Sequence, residues 1–188
     1  MAEAYTYDPV GNRLTGPHHD TFTYDRADRL TADEHHTYTY DRNGNLVEQR
    51  NKRTRAVTAY SYDAEDRLLR VVTPSADVEF QYDPLGRRTE KRAVRLGGER
   101  GDRDRDADDE GEAVRSQVTR YLYDQEDILA TFDESHRERA RYTHGPGIDE
   151  PLAEVGRHGI RFYHADVLGS IIALTEHHGR PSRQGYFI

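Results

Sequence analysis

The residues best equipped for chemistry lie in the last third of the chain. His164 and Asp166 stand two apart, so on a strand both side chains leave the same face and are within reach of a hydrogen bond. A histidine oriented by a carboxylate is two thirds of a hydrolytic triad, and it needs a nucleophile. Ser170 is the nearest serine, with Tyr163 and Thr175 the other hydroxyls. No glycine elbow frames the serine, so a structural pair beside a Leu168-Gly169 turn is the expectation and a hydrolase the weakest reading. Asp102, Asp104, Asp106 and Asp108 alternate through the acidic stretch Glu99–Glu112 in the manner of a calcium loop. A loop begun at Asp102 needs Gly sixth and Glu twelfth, but has Ala107 and Ala113. The stretch reads as a disordered, solvated loop near 97–115. His18-His19, His35-His36 and His177-His178 are adjacent pairs, and neighbours on a strand point to opposite faces, so no pair chelates one ion from one strand. Gly145-Pro146-Gly147 lacks the lysine and hydroxyl residue of a phosphate loop and reads as a turn. The expected catalytic, cofactor and metal sites are therefore none.

The elements that would position such groups must come from an unusual composition. Of 188 residues, 34% are hydrophobic and 33% charged, with 13 tyrosines, no cysteine and a formal charge of -8. The mean hydropathy of -1.02 alone would suit disorder, but disordered chains are poor in aromatics. A folded β surface with a thin core reconciles the two. The negative charge disfavours nucleic acid as a partner, and no apolar run reaches the length of a membrane helix. Neither a signal peptide nor disulfide chemistry is expected.

Internal repetition supplies the elements. An aromatic-x-Tyr-Asp motif occurs at Tyr5-x-Tyr7-Asp8, Phe22-x-Tyr24-Asp25, Tyr38-x-Tyr40-Asp41, Tyr60-x-Tyr62-Asp63, Phe80-x-Tyr82-Asp83 and Tyr121-x-Tyr123-Asp124. Aromatics at i and i+2 mark one face of a strand. The Asp can accept a backbone N–H two residues on and so begin a turn. Three residues after it stand Gly11, Asp28, Gly44, Asp66, Gly86 and Asp127, residue types that tolerate positive φ. Leu30, Leu46, Leu68 and Leu129 follow at a fixed sixth place after the Tyr. The first unit has Leu14 one place later, and the fifth has Arg88 instead. Each unit predicts strand, tight turn, strand: a β-hairpin.

Units such as YTYDPVGNRL, FTYDRADRL, YTYDRNGNLV and FQYDPLGRR resemble the YD repeats of the Rhs (rearrangement hotspot) proteins, shared with insecticidal toxin complexes and teneurins. RYTHGPGIDEPLAEV (141–155) and RFYHADVLGSIIALT (161–175) resemble the core segment that follows those repeats. The resemblance implies a β strip wound into a hollow shell around a C-terminal toxin. It further implies an Asp-Pro-x-Gly self-cleavage element past the core. The residues after Thr175 hold no such element, so self-cleavage is not carried over. Asp8-Pro9 and Asp83-Pro84 lie inside repeats, where Asp-Pro starts a turn.

The expected fold is all-β: consecutive antiparallel hairpins forming a curved sheet, with repeats over 1–135 and a partial core segment over 136–188. The expected role is a structural, non-enzymatic part of an Rhs-type toxin shell that encapsulates or presents a passenger. The alternatives are a carbohydrate- or protein-binding module using exposed tyrosines, and a truncated fragment without a role. The expected partners are the rest of the shell or the passenger, with carbohydrate as an alternative. The expected setting is bacterial, with synthesis in the cytoplasm and export by a specialised secretion system.

Overall fold

The computed structural model describes residues 5–16, 21–96, 116–147, 150–157, 159–177 and 179. The acidic stretch near 97–115, His18-His19, His178 and the tail beyond 179 lie outside these residues.

The period-two patterning becomes strands throughout, and no helix occurs among the described residues. The strands are β1 (Thr6–Tyr7), β2 (Arg13–Thr15), β3 (Thr23–Tyr24), β4 (Leu30–Ala32), β5 (His36–Tyr40), β6 (Leu46–Asn51), β7 (Val57–Tyr62) and β8 (Leu68–Thr73). They continue with β9 (Ala76–Tyr82), β10 (Arg88–Arg95), β11 (Ser116–Asp124), β12 (Asp127–Phe132), β13 (Glu138–His144), β14 (Pro151–Gly156), β15 (Gly159–Ala165) and β16 (Ile171–Glu176). β1 and β2 form a two-stranded sheet, and β3 to β16 form a 14-stranded sheet in sequence order. Most connections are short and permit only antiparallel neighbours, so the sheet is built hairpin by hairpin, with β10 and β11 neighbours across the longer stretch 96–115. The all-β expectation of consecutive antiparallel hairpins holds.

The chain divides into two compact units: Met1–Glu79 with Ala93–Arg115, and Phe80–Arg92 with Ser116–Ile188. In the first unit, exposure alternates along the strands. On β5 and β7, Tyr38, Tyr40, Tyr60 and Tyr62 are half-buried while Thr37, Thr39, Ala59 and Ser61 face solvent. A single layer of aromatics on one face takes the place of a two-sided core. The buried hydrophobics among the described residues, Val118, Ala130 and Leu174, all belong to the second unit, as do buried Thr131 and Glu154.

Candidate functional site

The turn after each repeat strand is built around its aspartate. In the third unit, Tyr40 pairs with Leu46, and the loop Asp41–Asn45 lies between them. The Asp41 Oδ1 accepts the N–H of Asn43 at 2.9 Å and of Asn45 at 2.8 Å. The Asp41 N–H donates to the Asn45 carbonyl at 2.9 Å, and the Gly44 N–H donates to the Asp41 carbonyl. The register then skips Val47, a bulge that lets the odd-length loop rejoin the ladder. The same bonds recur at Asp8, Asp25, Asp63 and Asp83. Burial opposes ionisation of Asp8, Asp41 and Asp83. The hydrogen bonds they accept outweigh it and hold these carboxyls below their ordinary value. At Asp25 the Arg29 side chain is the leading cause of the same lowering, and at Asp63 the Arg67 backbone N–H.

The residue three after the aspartate has positive φ in these five turns, in two classes. Gly11, Gly44 and Gly86 sit at 95°, 97° and 83°, whereas Asp28 and Asp66 sit at 58° and 60°. The aspartates occupy the small left-handed region open to L-residues, and the glycines lie beyond it. The loop's last residue was not read from the sequence, although it is always Asn or Arg. Asn12, Arg29, Asn45, Arg67 and Arg87 return a side-chain donor to the second oxygen of the turn aspartate, at 3.0, 2.8, 3.2, 2.7 and 2.8 Å. The signal that could have shown it is the Asn or Arg directly before the sixth place.

Successive hairpins are tied through the repeat tyrosines. The hydroxyl of Tyr24 donates to the Arg13 carbonyl (2.9 Å), Tyr40 to Leu30 (2.8 Å), Tyr62 to Leu46 (3.1 Å) and Tyr123 to Arg88 (3.0 Å). In every case the acceptor is the sixth-place residue of the preceding unit. Because the acceptor is backbone, Arg can stand there in place of Leu. Arg13 lies 4.3 Å from the Phe22 ring centre and 5.9 Å from that of Tyr5. Arg88 lies 5.5 Å from Phe80 and 5.0 Å from Tyr121. Each arginine is thus stacked between the leading aromatics of two consecutive units. In the first unit, turn-to-turn bonds add to the ties: Asn12 reaches Asp28 at 2.9 Å, and Asn43 and Asn45 reach Asp66 at 3.0 and 2.6 Å.

The sixth motif departs from the expectation. Asp124 and Asp127 are strand residues paired with each other, and the positive φ falls on Gln125 (54°), not on Asp127. Gln125 and Glu126 alone form the turn, so the chain has no room for the aspartate-centred loop. Tyr123 keeps its bond to the previous unit all the same.

Beside this hairpin the second unit carries a cleft of about 460 Å³, lined by Tyr121, Tyr123, Tyr142, Tyr163, His144 and Glu126 among others. Buried Glu154 accepts the Tyr163 hydroxyl at 2.6 Å and forms an ion pair with Arg161. Burial, then the bond to Glu154, pushes the Tyr163 phenol up; burial does the same for Tyr142. Such a cleft offers ring faces and fixed phenol dipoles, with no paired free carboxylates for acid–base work.

The family model that matches this chain is the teneurin YD-shell, over residues 1–98. The matched half carries the first five repeat units. The chain belongs to the teneurin YD-shell family. No curated protein matches it. Among solved structures, the YD-shell chain is similar to a TcdB2-TccC3 crystal structure, with 14% identity and a TM-score of 0.44 over 92% of its length. It is also similar to the Photorhabdus luminescens Tc holotoxin pore, with 13% identity and a TM-score of 0.43 over 92%. It spans 12% of the length of each.

The remaining candidates take structural places in strands and turns. His164 and Asp166 are not brought together. The His164 Nε2 lies 2.8 Å from the Thr175 hydroxyl, while Asp166 has left the strand and accepts the N–H groups of Leu168 and Ser170. Asp166 heads a turn with Gly169 at φ 85°, and Asp133 heads another with His136 at φ 59°. Both turns lack the Tyr before the Asp, having Phe132 and Ala165 there, so neither matches aromatic-x-Tyr-Asp. Gly145-Pro146-Gly147 joins β13 to β14, with the Gly145 N–H on the Glu150 carbonyl at 2.8 Å. His35 and His36 donate their backbone N–H groups to Asp33. Among the described residues no three His, Asp or Glu side chains gather to hold a metal ion.

Proposed function

We propose that this chain is wall: a non-catalytic segment of a bacterial, secreted YD-shell that encloses a passenger toxin. The observation that carries the reading is the fate of the chemical groups. The turn aspartates are held in loop hydrogen bonds, and the tyrosine hydroxyls at 24, 40, 62 and 123 are held by neighbouring carbonyls. Groups committed to holding hairpins together are not free to turn over a substrate. The change from repeat to core at 135/136 is, on this reading, a change of motif within one continuing wall, since the Asp133 and Asp166 turns follow the repeat pattern. The test is protease protection of whatever polypeptide the full reading frame carries beyond this segment. Protection in the parent, lost when Gly44→Pro breaks a hairpin, supports enclosure; equal cleavage in both overturns it.

A second reading is carbohydrate binding, and it moves away from the repeat. Tyr40 cannot serve as an open platform, because Arg29 lies 4.9 Å from its ring centre and Leu30 holds its hydroxyl. The tyrosine cleft of the second unit is the surface that favours this reading. A glycan array on the parent and on Tyr142→Phe and Tyr163→Phe variants tests it, and no binding by the parent ends it.

A further inference from the structure

The second unit has a gap in its side-chain layer. On the rung formed by Ala140, Gly156 and Gly159, paired in register across β13, β14 and β15, no side chain is larger than a methyl. The gap opens a pocket of about 270 Å³. Its other lining residues are Arg139, Arg157, Arg161 and Asp133. Three of seven lining residues are arginines, in a chain whose formal charge is -8.

The local acids do not match them. Asp133 gives Oδ1 to the N–H groups of Ser135 and Arg137, at 2.9 and 3.0 Å, and Oδ2 to Arg157 at 3.1 Å. Glu154 is shared between Arg161 and the Tyr163 hydroxyl. Half-buried Arg139 makes no direct ion pair among the described residues; its charge acts on Asp133, the acid that Arg157 already holds. Glu138, beside it in sequence, is held by Arg141 at 2.7 Å. A guanidinium carries five N–H donors, more than the one contact with Asp133 uses at Arg157. Three guanidiniums thus face two shared carboxylates, and the local excess of positive charge is relieved when an anion joins them.

We propose that this pocket binds a tetrahedral oxyanion, phosphate or sulfate, free or as an ester. A single carboxylate matches one guanidinium fork, whereas a tetrahedral oxyanion offers oxygens on several sides to three arginines. The missing side chains on the Ala140–Gly156–Gly159 rung supply its space. Gly156 is fixed for a second reason: a Cβ there would lie 3.1 Å from the Arg139 carbonyl oxygen.

The test is NMR titration of the 188-residue chain with sodium phosphate, sodium sulfate, phosphoserine and sodium acetate, against sodium chloride at matched ionic strength. The expected result is saturable shifts at the Gly156 and Gly159 amides with the tetrahedral anions, absent with chloride and at least several-fold weaker with acetate. Tighter binding of phosphoserine than of phosphate identifies an esterified ligand, and the reverse identifies the free ion. Arg139→Gln is expected to weaken binding about tenfold. Shifts equal in chloride, or spread over the turn amides at Gly44 and Gly86, overturn the proposal. Unchanged affinity in a folded Arg139→Gln overturns it as well. Should that variant not fold, the site-localised shifts of the parent still decide.

Discussion

The two compact units solve the same problem by different means. The first holds its hairpins with a lattice of polar ties: aspartate loops, tyrosine-to-carbonyl bonds, asparagines reaching from turn to turn. Its aromatics are only half-buried. The second keeps the strand order but buries Val118, Ala130 and Leu174, along with a charged Glu154. A repeated motif can therefore stabilise a single-layer sheet in many small increments. Where the motif lapses, as at Asp133 and Asp166, stability is concentrated in fewer, more deeply buried groups. The largest single-site effects belong in the second unit.

Glu154→Ala tests that contrast most sharply. It leaves the Tyr163 hydroxyl without its acceptor and Arg161 without its acid. Removing one partner of a buried pair costs about 3–5 kcal/mol, and the partial exposure of Arg161 places the expected loss near the lower end, about 3 kcal/mol. Urea unfolding followed by far-UV circular dichroism measures it. Glu138→Ala, which breaks the exposed pair with Arg141, is the control and leaves the midpoint unchanged. Equal effects of the two substitutions would show that burial does not concentrate stability within the second unit.

Gly44→Ala probes the first unit at its most sensitive backbone position. At φ 97° a Cβ meets no neighbouring atom, so the penalty is conformational alone, about 1–2 kcal/mol. Asp66→Gly, at φ 60°, relieves a milder strain but removes the acceptor of Asn43 and Asn45, and the smaller net change is expected there. The pair also shows how far the sequence could be read. Gly or Asp at this place disclosed positive φ, and the hairpins followed from it. That Gly and Asp mark two different φ values could not be seen, because both residues satisfy the coarser rule. The two-residue turn at Gln125-Glu126 differs from the expectation for a related reason: Asp127 matches the motif by type, while strand register places the bend two residues earlier. The Glu154 cluster left no local signal, since it is assembled across β14 and β15 by pairing and not by spacing.

Tyr62→Phe isolates one tie. It deletes the hydroxyl on the Leu46 carbonyl and keeps the ring, so the expected loss is about 1 kcal/mol, the net value of one hydrogen bond. Thermal unfolding resolves a change of that size. A much larger loss would mean that the ties act cooperatively and that the first unit is less incremental than its geometry implies.

Arg88→Leu should have the smallest effect and the most to say about how the repeat tolerates change. Leu is the residue at the sixth place in four of the six units. Arg88 gains attraction from the rings of Phe80 and Tyr121, worth roughly 0.5–1 kcal/mol at a partly exposed site. Against that, its Nε is buried without a hydrogen-bond partner, and an unsatisfied buried donor costs about as much or more. Leu forfeits both terms, and the Tyr123 bond to the residue-88 carbonyl survives because it is made to backbone. The two near-cancelling terms predict a stability change within about 0.5 kcal/mol in either direction. Arg88→Ala loses the packed stem as well and falls clearly below both parent and Leu variant. If Leu proves as damaging as Ala, the guanidinium itself holds the two hairpins, and the sixth place is a cation site in the units that carry Arg. If Leu is neutral, the place asks only for a side chain long enough to fill the space between two aromatic rings.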